Sequence, residues 1–206
     1  MYARSTIFRS DPSRVEAGIE FIRDQVAPAL DQIDGCIGQS LMVDRAAGRT
    51  IATSAWTDEA ALLASEPRVA SLRARGTQVL GVTPTVQMWE IAIVHRVAQQ
   101  RPGVVVRATW TRIDPSLEER SIENFRSVLL PAMEQLPGFC SCSLFVDREA
   151  GRAVSAVTYD SRASLNESRT AAASLRRTAV EENDVEVLEV AEFDLVLAHL
   201  RVPELV

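Results

Sequence analysis

Two arginines and two glutamates stand inside short apolar runs, where charged side chains are unusual. Arg4 lies in "ARSTIFR" and Arg107 in "VRATWTR", while Glu90 lies in "VQMWEIAIV" and Glu192 in "LEVAEFDLV". A carboxylate in such a position could remove a proton, and a guanidinium could stabilise the anion that forms. We therefore take the glutamates as candidate bases and the arginines as candidate anion stabilisers, with a structural ion pair as the alternative.

The alternation of side chains along a strand sorts these runs onto two faces. In the strands of Arg4 and Arg107 the face without the arginine is smaller and more apolar, and we expect that face to carry the helices. The same rule turns Glu90 and Glu192 away from the helices. Because an unpaired buried charge is costly, we expect Arg4 to lie near Glu90 and Arg107 near Glu192.

Further side chains could line a ligand pocket beside these charges. They are a threonine on the arginine face of each half, one aromatic at the end of the third strand of each half, and an acid beside Glu192: Thr6, Thr109, Trp56, Tyr159 and Asp194. An aromatic ring could stack on a flat ligand, and ordinary core packing is the alternative. We expect Trp89 and Trp110 to lie under the helices.

A CxC pair, Cys140 and Cys142, is typical of a metal or redox site, but a comparison within the chain argues against one. The matching strand in the first half has Ile37 and Gln39 at these positions, and neither is a residue type that would keep a metal. Buried thiols behave as small apolar side chains. We therefore predict structural thiols that react slowly in the native state.

Composition narrows the classes of partner. The net charge of −6 disfavours nucleic acid. No apolar run reaches the length of a membrane span, and "MYARSTIFRSDPSR" lacks the apolar core of a targeting segment, so we expect a cytoplasmic protein with no membrane partner. With two histidines and no GxGxxG, P-loop, CxxC or HExxH motif, we expect neither a metal site nor a bound cofactor.

The two halves of the chain repeat each other at an offset of about 103 residues. "RSTIFRSDPS" matches "RATWTRIDPS", "APALDQIDG" matches "LPAMEQLPG", and "SLMVDRAAGR" matches "SLFVDREAGR". So long a period indicates duplicated domains rather than a solenoid. We predict one repeat over residues 1–96, a second over 104–206, and a polar linker, "VAQQRPG", over 97–103.

Each half predicts the order β-α-β-β-α-β, the ferredoxin-like unit. Asp-Pro at positions 11–12 and 114–115 starts the first helix, apolar residues then follow at helical spacing, and "DRAAGR" and "DREAGR" are typical of hairpin loops. Such a unit leaves one sheet face uncovered. The predicted fold class is therefore α+β, with two tandem ferredoxin-like repeats that form an intramolecular dimeric α+β barrel.

The segments "GCIGQSLMVDRAAGRTIATSAWTDEAAL" and "GFCSCSLFVDREAGRAVSAVTYDSRASL" resemble the antibiotic-biosynthesis-monooxygenase (ABM) domains of the dimeric α+β barrel superfamily. The resemblance covers the whole chain as two fused copies and implies a single-chain pseudo-dimer, monomeric or further dimerised. Trp56 and Tyr159 correspond to the family's aromatic after the third strand. The haem-degrading branch carries a histidine on the second helix, which neither half has, so the resemblance disfavours haem.

The resemblance implies a cofactor-independent monooxygenase acting on a small aromatic or polyketide-like molecule. In that reaction the substrate is deprotonated and its carbanion reacts with O2, so the protein needs only a pocket, a base and an anion stabiliser. The alternative is a non-catalytic ligand-binding or stress-associated protein with the same fold. A cavity of several hundred Å³ would favour the enzyme.

Overall fold

The computed structural model describes residues 1–97, 103–183, 185–200 and 202–205. Residues 98–102, most of the expected linker, lie outside the described residues. The strands are β1 (Tyr2–Arg9), β2 (Cys36–Asp44), β3 (Arg49–Trp56), β4 (Thr85–Arg96), β5 (Val105–Arg112), β6 (Phe139–Asp147), β7 (Arg152–Tyr159) and β8 (Glu186–Leu200). The helices are α1 (Val15–Phe21), α2 (Ala27–Leu30), α3 (Glu59–Ala64), α4 (Glu66–Leu80), α5 (Glu118–Asn124), α6 (Leu130–Glu134), α7 (Arg162–Glu167) and α8 (Arg169–Asn183).

The fold is α+β, and the order of its elements along the first half recurs along the second. The hydrogen-bonded strand order, β1-β3-β2-β8-β5-β7-β6-β4, is that of a closed barrel, and the described strand pairs are antiparallel. The chain divides into two compact units. The first comprises Met1–Trp89 and Asp194–Val202, and the second comprises Glu90–Phe193 and Pro203–Val206, so β4 and β8 each contribute to both.

In the first unit, β3 pairs with β1 and β2, and β2 also pairs with the end of β8. The apolar stripe of α1 and the turn after it packs on β2, and a second cluster joins α2, α3 and α4 to the end of β3. The buried members are Val15, Ile19, Phe21, Ile22, Leu41, Val43, Leu30, Trp56, Leu62 and Val69. Each fully buried aliphatic side chain contributes about 1.5–3 kcal/mol.

In the second unit, β7 pairs with β5 and β6, and β6 also pairs with β4. The core lies between this sheet and helices α5 to α8. Its members include Ile122, Phe125, Leu129, Leu130, Cys142, Leu144, Val146, Val157, Tyr159 and Leu165. The first three of these have helical spacing in the sequence, and their burial explains why the helix forms against this sheet.

The helical segment that opens each half begins at an Asp-Pro pair and contains a π-helical turn before its second proline. Asp11 and Asp114 accept hydrogen bonds from the backbone N–H two residues later, at 2.8 Å in both, with proline at the next position. Pro28 and Pro131 fall near the start of α2 and α6, each directly after a π-helical turn. Proline has no N–H for the preceding turn, and the wider π turn accommodates it.

The two polar loops predicted as hairpins connect β2 to β3 and β6 to β7. Gly48 and Gly151 have φ of +64° and +58°. A side chain at Gly48 would place its Cβ 2.0 Å from the Ser10 carbonyl oxygen, and one at Gly151 would lie 2.5 Å from that of Ile113. Only glycine fits these turns, so the recurrence of "AGR" has a steric cause.

The expected assignment of sheet faces is wrong. Arg4 and Arg107 contact the helices, because each guanidinium binds a carbonyl oxygen at the end of a short helix, Leu62 of α3 and Leu165 of α7. The last carbonyls of a helix lack an N–H partner within it. Here the buried arginine and the serine that follows the helix, Ser65 or Ser168, both donate to the carbonyl. Polarity alone therefore pointed to the wrong face, since the helix side needs these charges.

Trp110 also lies on the face opposite to the expected one. It packs edge-on against Phe193 at a ring-centroid distance of 6.2 Å, while its neighbours Thr109 and Thr111 line a cavity beneath the helices. In β4 the register shifts between Ile91 and Ile93, so a strict alternation of faces cannot be followed along that strand.

Candidate functional site

In the first unit, Arg4 binds the C-terminal end of α3 and does not face an open ligand site. Its Nη1 donates to the Ser65 hydroxyl at 2.8 Å, its Nη2 donates to the Leu62 carbonyl at 2.7 Å, and Glu66 lies 3.1 Å away. The guanidinium lies 5.9 Å from the Trp56 ring centroid. Burial lowers the pKa of Arg4, and the charge of Glu66 partly offsets that effect. These contacts are those of a structural clamp.

Arg107 makes the equivalent contacts in the second unit. It donates to Ser168 Oγ at 3.0 Å, to the Leu165 carbonyl at 2.8 Å and to the Tyr159 hydroxyl at 3.2 Å. Its Nη2 also lies 3.4 Å from Glu192. The expected proximity of Arg107 and Glu192 is therefore found, although on the helix side of the sheet.

The expected proximity of Arg4 and Glu90 is wrong. Glu90 accepts hydrogen bonds from Arg148 in the β6–β7 hairpin, at 2.6 and 3.2 Å, while Arg4 is paired with Glu66. The bond to Arg148 lowers the pKa of the Glu90 carboxyl. The sequence could not show this pairing, because Arg148 approaches β4 only through the tertiary fold.

The expected pocket residues do not form one site. Trp56 and Tyr159 are fully buried, and the Trp56 indole N–H donates to Ser54 Oγ at 3.0 Å. Asp194 accepts a hydrogen bond from Arg45 at 2.8 Å. Thr6 lines a cavity in the first unit, and Thr109 lines one in the second.

The cavity of the second unit has the chemistry of a candidate site. It has a volume of about 90 Å³ and lies between the sheet and helices α5, α6 and α8. Apolar side chains form most of its wall. The polar side chains that line it are Thr109, Thr111, Glu118, Ser121, Ser155 and Arg176. A carboxylate, a guanidinium and several hydroxyls thus border one apolar space.

Glu118 is the titratable group best placed in this cavity. It is only 6% exposed, and burial raises the pKa of its carboxyl. Arg148 lies 3.3 Å from its Oε1 and opposes the shift, whereas the charges of Glu119 and Glu90 reinforce it. That oxygen makes no hydrogen bond in the described structure. A desolvated carboxylate with a raised pKa is a stronger base than an exposed carboxylate.

The interpretation of the sequence missed Glu118, although a signal was present. At the offset of 103 residues Glu118 matches Val15, the first residue of the apolar stripe of α1, so one half has an acid where the other has a core valine. Thr111 likewise matches Phe8. The first unit has a cavity of about 50 Å³ that Phe8 helps to line, and no carboxylate lines it.

The thiols are buried as the internal comparison indicates. Cys140 and Cys142 are buried, and Cys142 packs in the helix-side core with Leu144 and Val146. Burial raises the pKa of Cys142 to about 12 and also raises that of Cys140. Among the described residues no group of three or more His, Cys, Asp or Glu side chains could hold a metal ion.

Thiol labelling of the native protein should separate the three cysteines. We expect Cys36, which is partly exposed, to react first, and Cys142 to react at least about 100-fold more slowly, because a buried thiol must be uncovered and ionised. The measurement is a time course with a thiol reagent followed by peptide mass spectrometry. Equal rates at Cys36 and Cys142 would contradict the burial of Cys142 in β6.

Neither histidine lies on a helix. His95 is in β4, where its Nε2 lies 2.9 Å from Glu134, and His199 is an exposed residue of β8. In the described part of the chain no helix has the length and apolar character needed to cross a bilayer.

Comparison with known proteins identifies close sequence relatives, and it identifies solved structures with a similar fold. The protein Rv2557 of Mycobacterium tuberculosis H37Rv is 47% identical over 206 residues, which cover 100% of this chain and 92% of that protein. Rv2558 of the same strain is 49% identical over 207 residues, covering 100% and 88%. Both are described as uncharacterized. No family model matches the chain.

Solved structures share the fold at low identity. A provisionally named monooxygenase of Fusobacterium nucleatum has a TM-score of 0.72 and 12% identity, covering 97% of this chain and 94% of that one. An anthrone oxidase-like protein has a TM-score of 0.70 and 14% identity, covering 98% and 94%. A ferredoxin-fold protein of Listeria monocytogenes related to antibiotic biosynthesis monooxygenases has a TM-score of 0.54 and 8% identity, and the match covers 95% of this chain and 95% of that one. The chain therefore has the ABM-like fold.

Proposed function

The chain belongs to the family of the M. tuberculosis proteins Rv2557 and Rv2558 and has the ABM-like fold, and we propose that it is a cofactor-independent monooxygenase whose reaction centre is the cavity of the second unit. The single observation that carries the proposal is Glu118, a buried carboxyl with a raised pKa in the wall of an apolar cavity. This assignment replaces Glu90 and Glu192 as the first candidate for the base.

The proposed reaction begins when Glu118 removes a proton from an electron-rich ring. The resulting carbanion gives its electrons to O2, a C–O bond forms, and a proton completes a hydroperoxide. Loss of water then breaks the O–O and remaining C–H bonds and leaves a quinone. One O2 is consumed for each quinone and each water formed. The electrons come from the substrate, so no bound cofactor takes part.

Other side chains of the cavity would stabilise the anion. Arg176 supplies a fixed positive charge at its wall, and the hydroxyls of Thr109 and Ser121 can donate hydrogen bonds. The buried Ser121 Oγ makes no hydrogen bond in the described structure, so its proton is available to a ligand. Glu90 would act on Glu118 as a positioning residue, since Arg148 contacts both carboxylates.

The size of the cavity limits the proposed substrate. A volume of about 90 Å³ is below the several hundred Å³ of typical ligand pockets and below the roughly 150 Å³ in which an apolar cavity holds benzene. We therefore propose that a single ring enters, with small adjustments of its wall. A hydroxylated, polyketide-like ring fits this description best.

The test is O2 uptake with phloroglucinol, the simplest ring of this class. The protein should consume O2 and form 2,6-dihydroxy-1,4-benzoquinone in a 1:1 ratio, at a rate proportional to protein concentration. Phloroglucinol binding in a separate titration, combined with no O2 uptake above the protein-free rate, would contradict the enzyme.

A second candidate function is non-catalytic binding of a small molecule, which the modest volume of the cavity favours. Saturable binding of phloroglucinol without turnover would support it. A stress-associated role would be of this second kind. Haem binding has less support, because both histidines lie on strands.

We further propose that residues 1–96 and 104–206 are tandem ferredoxin-like repeats, so that one chain takes the place of a dimer. Arg4 with Leu62 and Ser65, and Arg107 with Leu165 and Ser168, form the same clamp in each half, which supports a duplication. In this proposal the protein works in the cytoplasm as a monomer or homodimer, on a small molecule and without nucleic acid or membrane.

A further inference from the structure

The cavity of the first unit combines an apolar wall with a guanidinium group. It has a volume of about 50 Å³ and lies between the sheet and helices α1, α2 and α4. Apolar side chains such as Phe8, Phe21 and Leu72 form most of its wall, and Arg73 of α4 is the charged side chain that borders it in the described part of the chain. The function proposed above makes no use of this cavity.

Arg73 has a donor group that the described structure does not use. Its Nη2 donates to Glu66, whereas its Nη1 is buried and makes no hydrogen bond. The side chain as a whole is 18% exposed. A buried charged donor without an acceptor costs at least about 1–3 kcal/mol, so such a group in a native fold needs an explanation. An anion in the adjoining cavity would supply the acceptor.

The ion pairs around Arg73 leave one positive charge in excess. Glu66 lies 3.1 Å from Arg4 and also pairs with Arg73, so two guanidinium groups share one carboxylate. Arg4 is fully buried, and solvent therefore cannot screen its charge directly. One negative charge brought into the cavity would balance this group of three side chains.

Two buried hydroxyls border the same cavity. Thr6 is 8% exposed and Ser54 is 6% exposed. The Ser54 hydroxyl oxygen accepts the indole N–H of Trp56 at 3.0 Å, so the proton of that hydroxyl can be donated to another acceptor. Hydroxyl and guanidinium groups are the donors that a carboxylate binds through charge-assisted hydrogen bonds.

The two units differ in the charge of their cavities. At the offset of 103 residues Arg73 corresponds to Arg176, which also lines the cavity of its unit. Glu118, which lines the second cavity, corresponds to Val15, and Ser54 corresponds to a valine. The first cavity thus keeps the arginine, lacks the acid that would repel an anion, and has an additional hydroxyl that could bind one.

We propose that the cavity of the first unit is a binding site for a short-chain carboxylate, held by Arg73, Thr6 and Ser54. The carboxylate accepts hydrogen bonds from the guanidinium and the two hydroxyls, and its alkyl group contacts the apolar wall. A water-sized group needs about 10–15 Å³, so this volume admits roughly three to five non-hydrogen atoms, as in acetate or propionate. The site does not depend on the chemistry proposed for Glu118.

The test is isothermal titration of the full chain with sodium propionate in a chloride-free, low-salt buffer. The protein should show saturable binding, and Arg73→Met should weaken it by at least about tenfold, because a charged hydrogen-bond donor is lost. Arg68→Met is the matched control, because Arg68 is exposed on the same helix and donates to the Gln32 carbonyl. It should bind within about twofold of the unmodified protein.

Three further ligands test the charge, the size and the chemistry of the site in the unmodified protein. Propionamide has the shape of propionate without its charge, octanoate has the charge but exceeds the cavity, and chloride is an anion without an alkyl group. Each should bind at least about tenfold more weakly than propionate.

The proposal is overturned by absence of saturable propionate binding, by unchanged affinity in Arg73→Met, or by an equal loss in Arg68→Met. Binding of propionamide, octanoate or chloride as tightly as propionate would also overturn it. Circular dichroism of each variant confirms that it is folded, and the comparison of ligands needs no variant.

Discussion

Glu118→Gln is expected to lower kcat for O2 uptake with phloroglucinol by about 10²–10⁴, the usual contribution of a general base. Glutamine keeps the size of the side chain but cannot accept the proton. In the unmodified protein the rate should fall as pH drops through the raised pKa of Glu118, because the protonated carboxyl is inactive. The residual rate of the variant should lack this dependence.

The control is Glu123→Gln on the same helix, whose exposed carboxylate pairs with Arg126. It should keep kcat within about twofold, since exposed ion pairs contribute little. A Glu118→Gln rate equal to that of Glu123→Gln would contradict the assignment of the base.

Glu118→Gln should also change the pH dependence of thermal stability in a defined direction. The folded-state pKa of Glu118 is raised, so its protonated form stabilises the fold below the unfolded-state pKa, and that stabilisation is lost as pH rises through the folded-state pKa. Glutamine mimics the protonated form. Glu118→Gln should therefore raise Tm at pH 7 but not at pH 4. A raised Tm at pH 7 would also show that a loss of activity in this variant does not come from unfolding.

Arg107→Met is expected to lower the free energy of unfolding by about 3 kcal/mol. The substitution removes the guanidinium donor from the Leu165 carbonyl, the Ser168 and Tyr159 hydroxyls and Glu192. The Leu165 carbonyl keeps the Ser168 hydroxyl as a donor, and Glu192 keeps its exposed arginine partners. Methionine fills much of the volume of the arginine side chain. The decrease in the free energy of unfolding therefore reflects mainly the loss of the buried hydrogen bonds of Arg107. Urea denaturation followed by circular dichroism measures it.

Arg112→Met is the matched control on the same strand, because Arg112 is half exposed and pairs with the exposed Glu186. It should cost less than about 1 kcal/mol. Equal values for the two variants would show that Arg107 is not the structural clamp that its contacts indicate.

Local patterns in the sequence predicted many of the helices, strands and turns of the fold. The recurrence of Asp-Pro predicted both helix starts, and Asp11 and Asp114 cap them as expected. The alternating strands and glycine-containing loops predicted the hairpins, because these depend on neighbours along the chain.

Local patterns could not show which face of each sheet the helices cover. Alternation separates two faces but does not say which one meets the helices, and polarity was misleading because Arg4 and Arg107 bind the ends of helices α3 and α7. The register shift in β4 breaks the alternation itself. The partner of Glu90, Arg148, comes from a hairpin distant in sequence, so its identity depended on the folded chain.

Glu118 is a different case, since the comparison of the two halves contained the signal. An acid in place of Val15 on an apolar stripe marks a position where stability has been given up, which is a common property of functional sites. The match between the two halves of the sequence thus gives each site residue a reference position within the same chain.

The central claim, that the cavity of the second unit binds the ligand, is tested most directly by filling it. Thr111→Phe introduces at β5 the residue type found at Phe8 of β1, and Thr111→Val changes the same position without filling the space. The measurement is the Kd for phloroglucinol by isothermal titration. We expect Thr111→Val to bind within about fivefold of the unmodified protein and Thr111→Phe to lose binding while remaining folded. Unchanged affinity in Thr111→Phe would contradict the claim.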